Sequence, residues 1–167
     1  MKYIIFVGHG SVPYDFPQEK LKKYFFLRSK KMKGELNNEE KKEFLNLERE
    51  LHYFERNAEN DPHYFFHKKL KDEIEKELNI KCYFAFNEFC APNLEEVIEE
   101  IVKNENNSEI FIVPTMFTGG HHTDEEIKEE IEKIKEKFKN LRIKYLYPFN
   151  FEYIKELFEK HIKEVLK

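Results

Sequence analysis

The chain has 167 residues, a formal net charge of −4 and a pI near 6.0; that length suits one domain, and the charge argues against a general nucleic-acid binder. Apolar residues make up 40% and charged residues 37%, which excludes a disordered chain and predicts a globular core carrying solvated Lys/Glu helix faces. Two cysteines outside any CxxC pair exclude a secreted disulfide framework and fit a reduced cytoplasm, and the apolar run in positions 1–16, broken by Gly8 and His9, is neither a signal peptide nor a membrane span.

Lys2 to Val7 is short, apolar and rich in β-branched and aromatic residues, so it predicts a buried strand, with Gly8-His9-Gly10-Ser11 as a tight loop after it. The stretch from Pro17 to Leu78 is longer than one crossover needs. It predicts three helices: one from Pro17, one after Asn38 with Phe44, Leu47, Leu51 and Phe54 in register, and one from Asp61-Pro62, with breaks at Gly34 and at Asn57 to Asn60. Strands are expected at Lys81 to Phe86, Glu109 to Pro114 and Arg142 to Tyr147.

Asn93 is an N-cap for a helix over Leu94 to Lys103. Thr123 with Glu126 has capping-box spacing before Ile127, Ile131, Ile134 and Phe138. Asn150 opens a last helix whose Ile154, Leu157, Phe158, Ile162 and Val165 are expected to face inward. Strand then helix, four times over, predicts a single α/β domain over 1–167 with a parallel four-stranded sheet, right-handed crossovers and a helical insertion at about 17–69 after the first strand.

Two strand ends carry the candidate chemistry. His9 lies between two glycines, a setting that exposes an imidazole and lets a ligand approach the backbone, with a bond to a neighbouring loop as the lesser alternative. His121 and His122 follow Gly119-Gly120, and adjacent histidines point in different directions, so one of the two is expected to face the site. Neutral imidazoles suit cobalt, nickel, iron(II) or zinc better than magnesium or calcium. Glu126, one turn after His122, could be a ligand, a partner behind it, a proton acceptor or only a cap. Glu88 among aromatic neighbours reads equally as a functional carboxylate or as half of an ion pair.

Other groups carry weaker signals. Cys90 could be a soft ligand, but a small buried hydrophobe is the commoner outcome. His63 and His67 share a helix face without the glutamate of an HExxH motif. The basic cluster Lys20, Lys22, Lys23, Arg28, Lys30, Lys31 and Lys33 reads first as a solvated helix face and second as a landing site for a polyanionic small molecule. GxGxxG, GxxxxGK[ST] and GxSxG are all absent, which removes the main support for dinucleotide, P-loop and α/β-hydrolase readings. Gly8-His9-Gly10 lacks the arginine that a histidine phosphatase would place before its histidine.

Val7-Gly8-His9-Gly10-Ser11, Ala85-Phe86-Asn87-Glu88 with Ala91-Pro92-Asn93-Leu94, Val113-Pro114 with Phe117, and Gly120 to Ile127 together resemble the sirohydrochlorin chelatase family of the CbiX/SirB type. The long Pro17 to Lys69 region departs from compact members, and Ala58-Glu59-Asn60-Asp61-Pro62 looks like a feature of a longer branch. The resemblance implies a chelatase-like three-layer α/β domain. It also implies metal-handling histidines at His9 and His122, an acidic strand-end residue at Glu88, and Glu126 in place of the aspartate of the motif Gly-x-His-x-x-x-Asp-Ile. Short single-domain members pair as homodimers.

The activity so implied is a lyase-type, cobaltochelatase-like insertion of cobalt, nickel or iron into sirohydrochlorin or a similar acidic tetrapyrrole, in the biosynthesis of cobalamin or siroheme. The divalent ion is a substrate, and no organic cofactor is expected. Such chemistry needs a weakly held ion and an acceptor for two pyrrole N–H protons. His9 and His122 would hold the ion while Glu88, with Glu126, takes up protons. Phe89 and Phe117 would press on the ring, Ser11, Thr118 and the basic cluster would meet its carboxylates, and Gly10, Gly119 and Gly120 would let it approach the backbone. The same cleft could instead serve a non-catalytic metal or tetrapyrrole carrier, or a metal-dependent hydrolase with the inserted helices as a lid.

Overall fold

The first apolar run forms β1 (Lys2–Gly8), an inner strand buried continuously from Tyr3 to Gly8 with packing on both faces. It pairs in parallel with β2 (Lys81–Phe86) on one side and β3 (Glu109–Pro114) on the other, and β3 pairs in parallel with β4 (Arg142–Tyr145), giving the order β2-β1-β3-β4. The register sets Gly8 beside Phe86 and Val7 beside Pro114, so the chain leaves three strands at one level. The computed structural model describes residues 1–105, 107–120 and 122–166, with the side chains of His122 and Asp124 outside the description.

Three helices connect β1 to β2: α1 (Gln18–Met32), α2 (Asn38–His52) and α3 (Pro62–Leu78). α2 is opened by a capping box between Asn37 and Glu40, and α3 by the Asp61 carboxylate, which accepts the Tyr64 N–H, with Pro62 in the first turn. α3 is the crossover helix: its Leu70 and Ile74 pack with Ile4, Phe6 and Cys82 on one face of the sheet. α1 and α2 form a hairpin with a core of its own, in which Phe16, Tyr24, Leu27, Phe44, Leu47 and Leu51 are buried. Phe89, from the loop after β2, packs against that core and joins the insertion to the strand ends.

The opposite face of the sheet is covered by α4 (Leu94–Asn104) and α5 (Ile127–Lys137). Leu94, Val97, Ile98 and Ile101 of α4 and Ile127, Ile131 and Ile134 of α5 meet Tyr3, Ile5, Val7, Ile110 and Ile112, each large aliphatic side chain contributing about 1.5–3 kcal/mol by burial. The sequence is therefore arranged as helix, parallel sheet, helix, the expected three layers with the extra helices after β1.

Three sequence expectations are corrected. Thr123 is not the N-cap of α5: residues His122–Glu126 form a π-helical turn, and Glu126 stands at the cap position. The Thr123 hydroxyl instead donates to the Thr118 and Gly120 carbonyls at 3.3 and 3.2 Å. β4 stops at Tyr145 rather than Tyr147, because Leu146 gives the last N–H to Ile112 and Pro148 has none to give. In α6 (Phe151–Val165) the stripe expected to face inward is uncovered. Leu157, Phe158 and Ile162 are each about half exposed, and the buried clusters on the two sheet faces draw nothing from that helix.

Candidate functional site

In the order β2-β1-β3-β4 the connections run one way from β1 to β2 and the other way to β3, so the β1/β3 edge is the point where the topology switches, the place where parallel α/β sheets bind ligands beyond their carboxyl ends. His9 follows β1 at that edge, and the Gly119 to Glu126 segment follows β3. Hydrogen bonding continues past β1 and β2: Asn87 donates its N–H to the Gly8 carbonyl at 3.0 Å and Glu88 donates to the His9 carbonyl at 2.9 Å. That extension sets the His9 and Glu88 side chains next to each other.

Two glycines are fixed by close approach. A Cβ at Gly8 would lie 2.3 Å from His67 Nε2, and one at Gly10, where φ is +93°, would lie 1.9 Å from the Glu88 carbonyl oxygen. The His67 ring is a buried floor under the site. Its Nδ1 lies 2.9 Å from the His63 carbonyl and its Nε2 2.8 Å from Thr115 Oγ1, while Thr115 N–H donates to Val7 O at 2.8 Å. The His63 ring packs on it at 4.4 Å. Burial pushes both histidines below the ordinary imidazole range, so they stand as neutral structural rings.

His9 is part-exposed. Its Nδ1 is 3.1 Å from the Gly10 carbonyl, and a donated Nδ1–H would make Nε2 the lone-pair nitrogen of the neutral ring, the form a metal ion needs. Nε2 lies 4.0 Å from Glu88 Oε2. Glu88 is held by the inserted helix α1: Arg28 Nη2 donates to Oε1 at 2.5 Å and Nη1 to Oε2 at 3.4 Å. The same guanidinium sits 5.2 Å over the Phe89 ring, and that hydrogen bond to Glu88 raises the Arg28 pKa.

Phe89 adopts φ +59° and also lies 6.1 Å from His9, between the two loops. A cavity of about 460 Å³ opens here, lined among others by Tyr24, Arg28, Lys31, Phe44, Glu88 and Phe89. That Arg28 is the partner of Glu88 was not legible from the chain, where 60 residues separate them; the signals were the ion-pair reading of Glu88 and the basic cluster. The rest of that cluster is largely engaged elsewhere, with Lys20 on Glu50, Lys22 on Glu19, Lys23 on Glu43 and Lys30 on Glu40.

Ser11 is not turned outward: its hydroxyl donates to Asp61 Oδ1 at 2.5 Å, inside a network with Arg56. Cys90 is buried, its sulfur accepts from Arg56 Nε at 3.0 Å, and burial pushes its thiol up to about 12, in keeping with a small buried side chain. On the β3 side, Phe117, Thr118, Gly119 and Gly120 are exposed, with Phe117 edge-on to Phe149 at 5.6 Å. Glu126 is half-buried where the π-helical turn meets α5. His121 and the side chain of His122 lie outside the described residues, and among the described residues no group of three His, Cys, Asp or Glu side chains forms a metal cluster.

The model of the CbiX family matches residues 55–165, two-thirds of the chain. The chain belongs to the CbiX family. The matched span includes Glu88 and the Gly120 to Ile127 motif, whereas His9 stands before it. A crystal structure from Marinobacter aquaeolei VT8 that carries the name of a cobalamin (vitamin B12) biosynthesis CbiX protein is 14% identical, with a TM-score of 0.58 over 99% of this chain and 98% of that one, a likeness of fold. Bacillus subtilis subspecies spizizenii SirB, a sirohydrochlorin chelatase in complex with cobalt, is 19% identical with a TM-score of 0.46 over 88% of this chain and 43% of its own. Bacillus subtilis SirB with Fe3+ is 18% identical with a TM-score of 0.46, covering 86% and 38%. No curated protein matches the chain.

Proposed function

We propose that this CbiX-family chain is a chelatase that inserts a divalent ion, cobalt, nickel or iron, into sirohydrochlorin or a similar acidic tetrapyrrole. What supports the reading is that β1, which leads into His9, and β3, which leads toward Gly119 and Gly120, are adjacent parallel strands in a chain of this family. His9, through Nε2, and His122 would hold the incoming ion on one face of the ring. Imidazole binds such ions firmly enough to desolvate them and loosely enough to release them to four pyrrole nitrogens.

Two N–H protons leave the ring as the ion's two charges enter it. Glu88, with Glu126, would accept them. Phe89 and Phe117 would contact the macrocycle, Thr118 its carboxylates, and Gly10, Gly119 and Gly120 would allow its close approach. Ser11, whose hydroxyl is committed to Asp61, would act by holding its loop.

The chain would work as a homodimer, a reading supported by the uncovered apolar stripe of α6. Among the described residues no helix is long and apolar enough to cross a membrane.

Replacing His9 and His122 together by alanine is expected to abolish metallation of added sirohydrochlorin, followed by its absorbance change, while circular dichroism stays that of the wild type. Metallation at the wild-type rate by the double variant would overturn the reading. Stoichiometric uptake of ion or ring by the wild type with no turnover would make the chain a carrier using the same histidines.

A further inference from the structure

Resting on that reading, we propose that Arg28 is an exchangeable latch on Glu88: a carboxylate of the incoming tetrapyrrole takes the guanidinium, and Glu88 is released toward the ion and the ring protons at His9. Both oxygens of Glu88 face Arg28, at 2.5 and 3.4 Å, while Oε2 is 4.0 Å from His9 Nε2. A carboxylate neutralised in this way offers little to a dication, and the guanidinium adds a repulsive charge beside it. The site acid is therefore present but occupied.

Three features make the contact exchangeable. The pair is partly solvated, with 31% and 20% of the Arg28 and Glu88 side chains exposed, in contrast to the sealed Arg56–Asp61 pair at 4% and 1%. Substituting one carboxylate for another at a planar fork conserves both hydrogen bonds, so the exchange costs little. Arg28 also lines the cavity of about 460 Å³ walled by Tyr24, Phe44 and Phe89, which has room for a ring edge and its acidic side chain. Within the basic cluster, four lysines are paired with glutamates of α1 and α2 themselves, whereas Arg28 reaches a carboxylate of the strand-end loops. The insertion thereby couples recognition of an acidic ring to readiness for the ion, and Arg28 is a positioning residue that acts through Glu88.

The test is a double-mutant cycle in Co2+ affinity, measured by equilibrium titration of the full chain without tetrapyrrole. Arg28→Met, which keeps the stem over Phe89, is expected to bind Co2+ roughly five- to tenfold more tightly than the wild type. The gain is expected to vanish in Arg28→Met/Glu88→Gln. Arg28→Lys, which keeps the charge without the fork, should fall between. With sirohydrochlorin, Arg28→Met should raise KM for the ring while kcat is kept or increased.

An unchanged Co2+ affinity in Arg28→Met, or a gain that survives Glu88→Gln, overturns the latch and leaves the chelatase reading standing. Co2+ binding by the wild type that is indifferent to His9→Ala overturns the reading of the site itself. Because Arg28→Lys retains a cation at the same place, it keeps the test decisive should the methionine variant fold poorly.

Discussion

The Arg56 guanidinium lies 3.1 Å from the Asp61 carboxylate, and both side chains are almost wholly buried, at 4% and 1% exposed. Around this pair the inserted helices are fastened to the site. Arg56 gives its Nε–H to Cys90 Sγ and its Nη2 donors to the carbonyls of Phe89, Leu51 and Ser11, so its contact with Asp61 Oδ2 is ionic rather than a hydrogen bond. Asp61 accepts from the Ser11 hydroxyl and caps α3. One buried cation thus fixes the loops that carry His9 and Glu88.

Asp61→Asn can keep the cap and the bond to Ser11 while stranding a buried charge. It is expected to cost about 3–5 kcal/mol in urea unfolding, the usual penalty for removing one partner of a buried pair. Arg56→Met/Asp61→Asn should cost less than the sum of the two single changes, since neither partner is then left uncompensated. Additive losses would mean that the two groups do not depend on each other.

Much of this architecture was legible because local rules and tertiary packing agree. Lys81–Phe86 and Glu109–Pro114 were read with the bounds they have, since strands packed between helix layers show as continuous apolar runs. α2, α3 and α4 announced themselves through Asn38, Asp61-Pro62 and Asn93, although the residue that caps α2 is Asn37. Thr123 failed because Thr-x-x-Glu specifies a box only if the backbone enters an α-helix there, and this chain makes a π-helical turn. In α6, periodicity defined a face without saying what covers it. The candidate site was legible as residue types at strand ends, His9 and Glu88 above all. Its wiring was not, because Arg28 reaches Glu88, and Arg56 reaches Phe89, only after the insertion folds back on the sheet.

His67 makes stability depend on pH. Burial holds its folded-state pKa below the value near 6.5 of an unfolded imidazole. Between those two values the unfolded chain binds the extra proton. Stability is therefore full above about pH 6.5 and falls as pH drops through it, by up to about 1.4 kcal/mol per pH unit for this group. His63 and His52, both lowered first by burial, act in the same direction. Urea unfolding at pH 7.5 and 5.5 should show the loss, and His67→Gln should be less stable at pH 7.5 yet show a smaller difference between the two. An equal difference in the variant would assign the acid sensitivity to other groups.

Both cysteines should be chemically silent in the folded protein. Burial pushes Cys82 up to about 11 and Cys90 up to about 12, so at pH 8 the reactive thiolate is scarce at both, and neither sulfur is open to solvent. Iodoacetamide at pH 8 is expected to leave the native chain unmodified by mass spectrometry and to alkylate both positions in urea. Rapid native alkylation of Cys90 would show that the loop around Arg56 opens.

The last helix carries the prediction about assembly. Fifteen residues are marginal as an isolated helix even with good capping, so α6 needs packing to be stable. Its polar side is braced by the Glu152–Lys155 and Glu159–Lys163 pairs, each worth only tenths of a kcal/mol. On the other side Phe151, Ile154, Phe158, Ile162 and Val165 recur at helical spacing, with Phe151 and Val165 each 71% exposed. A second copy presents the same stripe, and a two-fold arrangement can lay one antiparallel against the other, burying both at once. The wild type is thus expected to sediment as a dimer at micromolar concentration, and Phe158→Asp, which sets a carboxylate at the middle of the stripe, to sediment as a monomer with β-sheet content retained. Monomeric wild type at that concentration, or a Phe158→Asp dimer, would remove α6 as the joining surface.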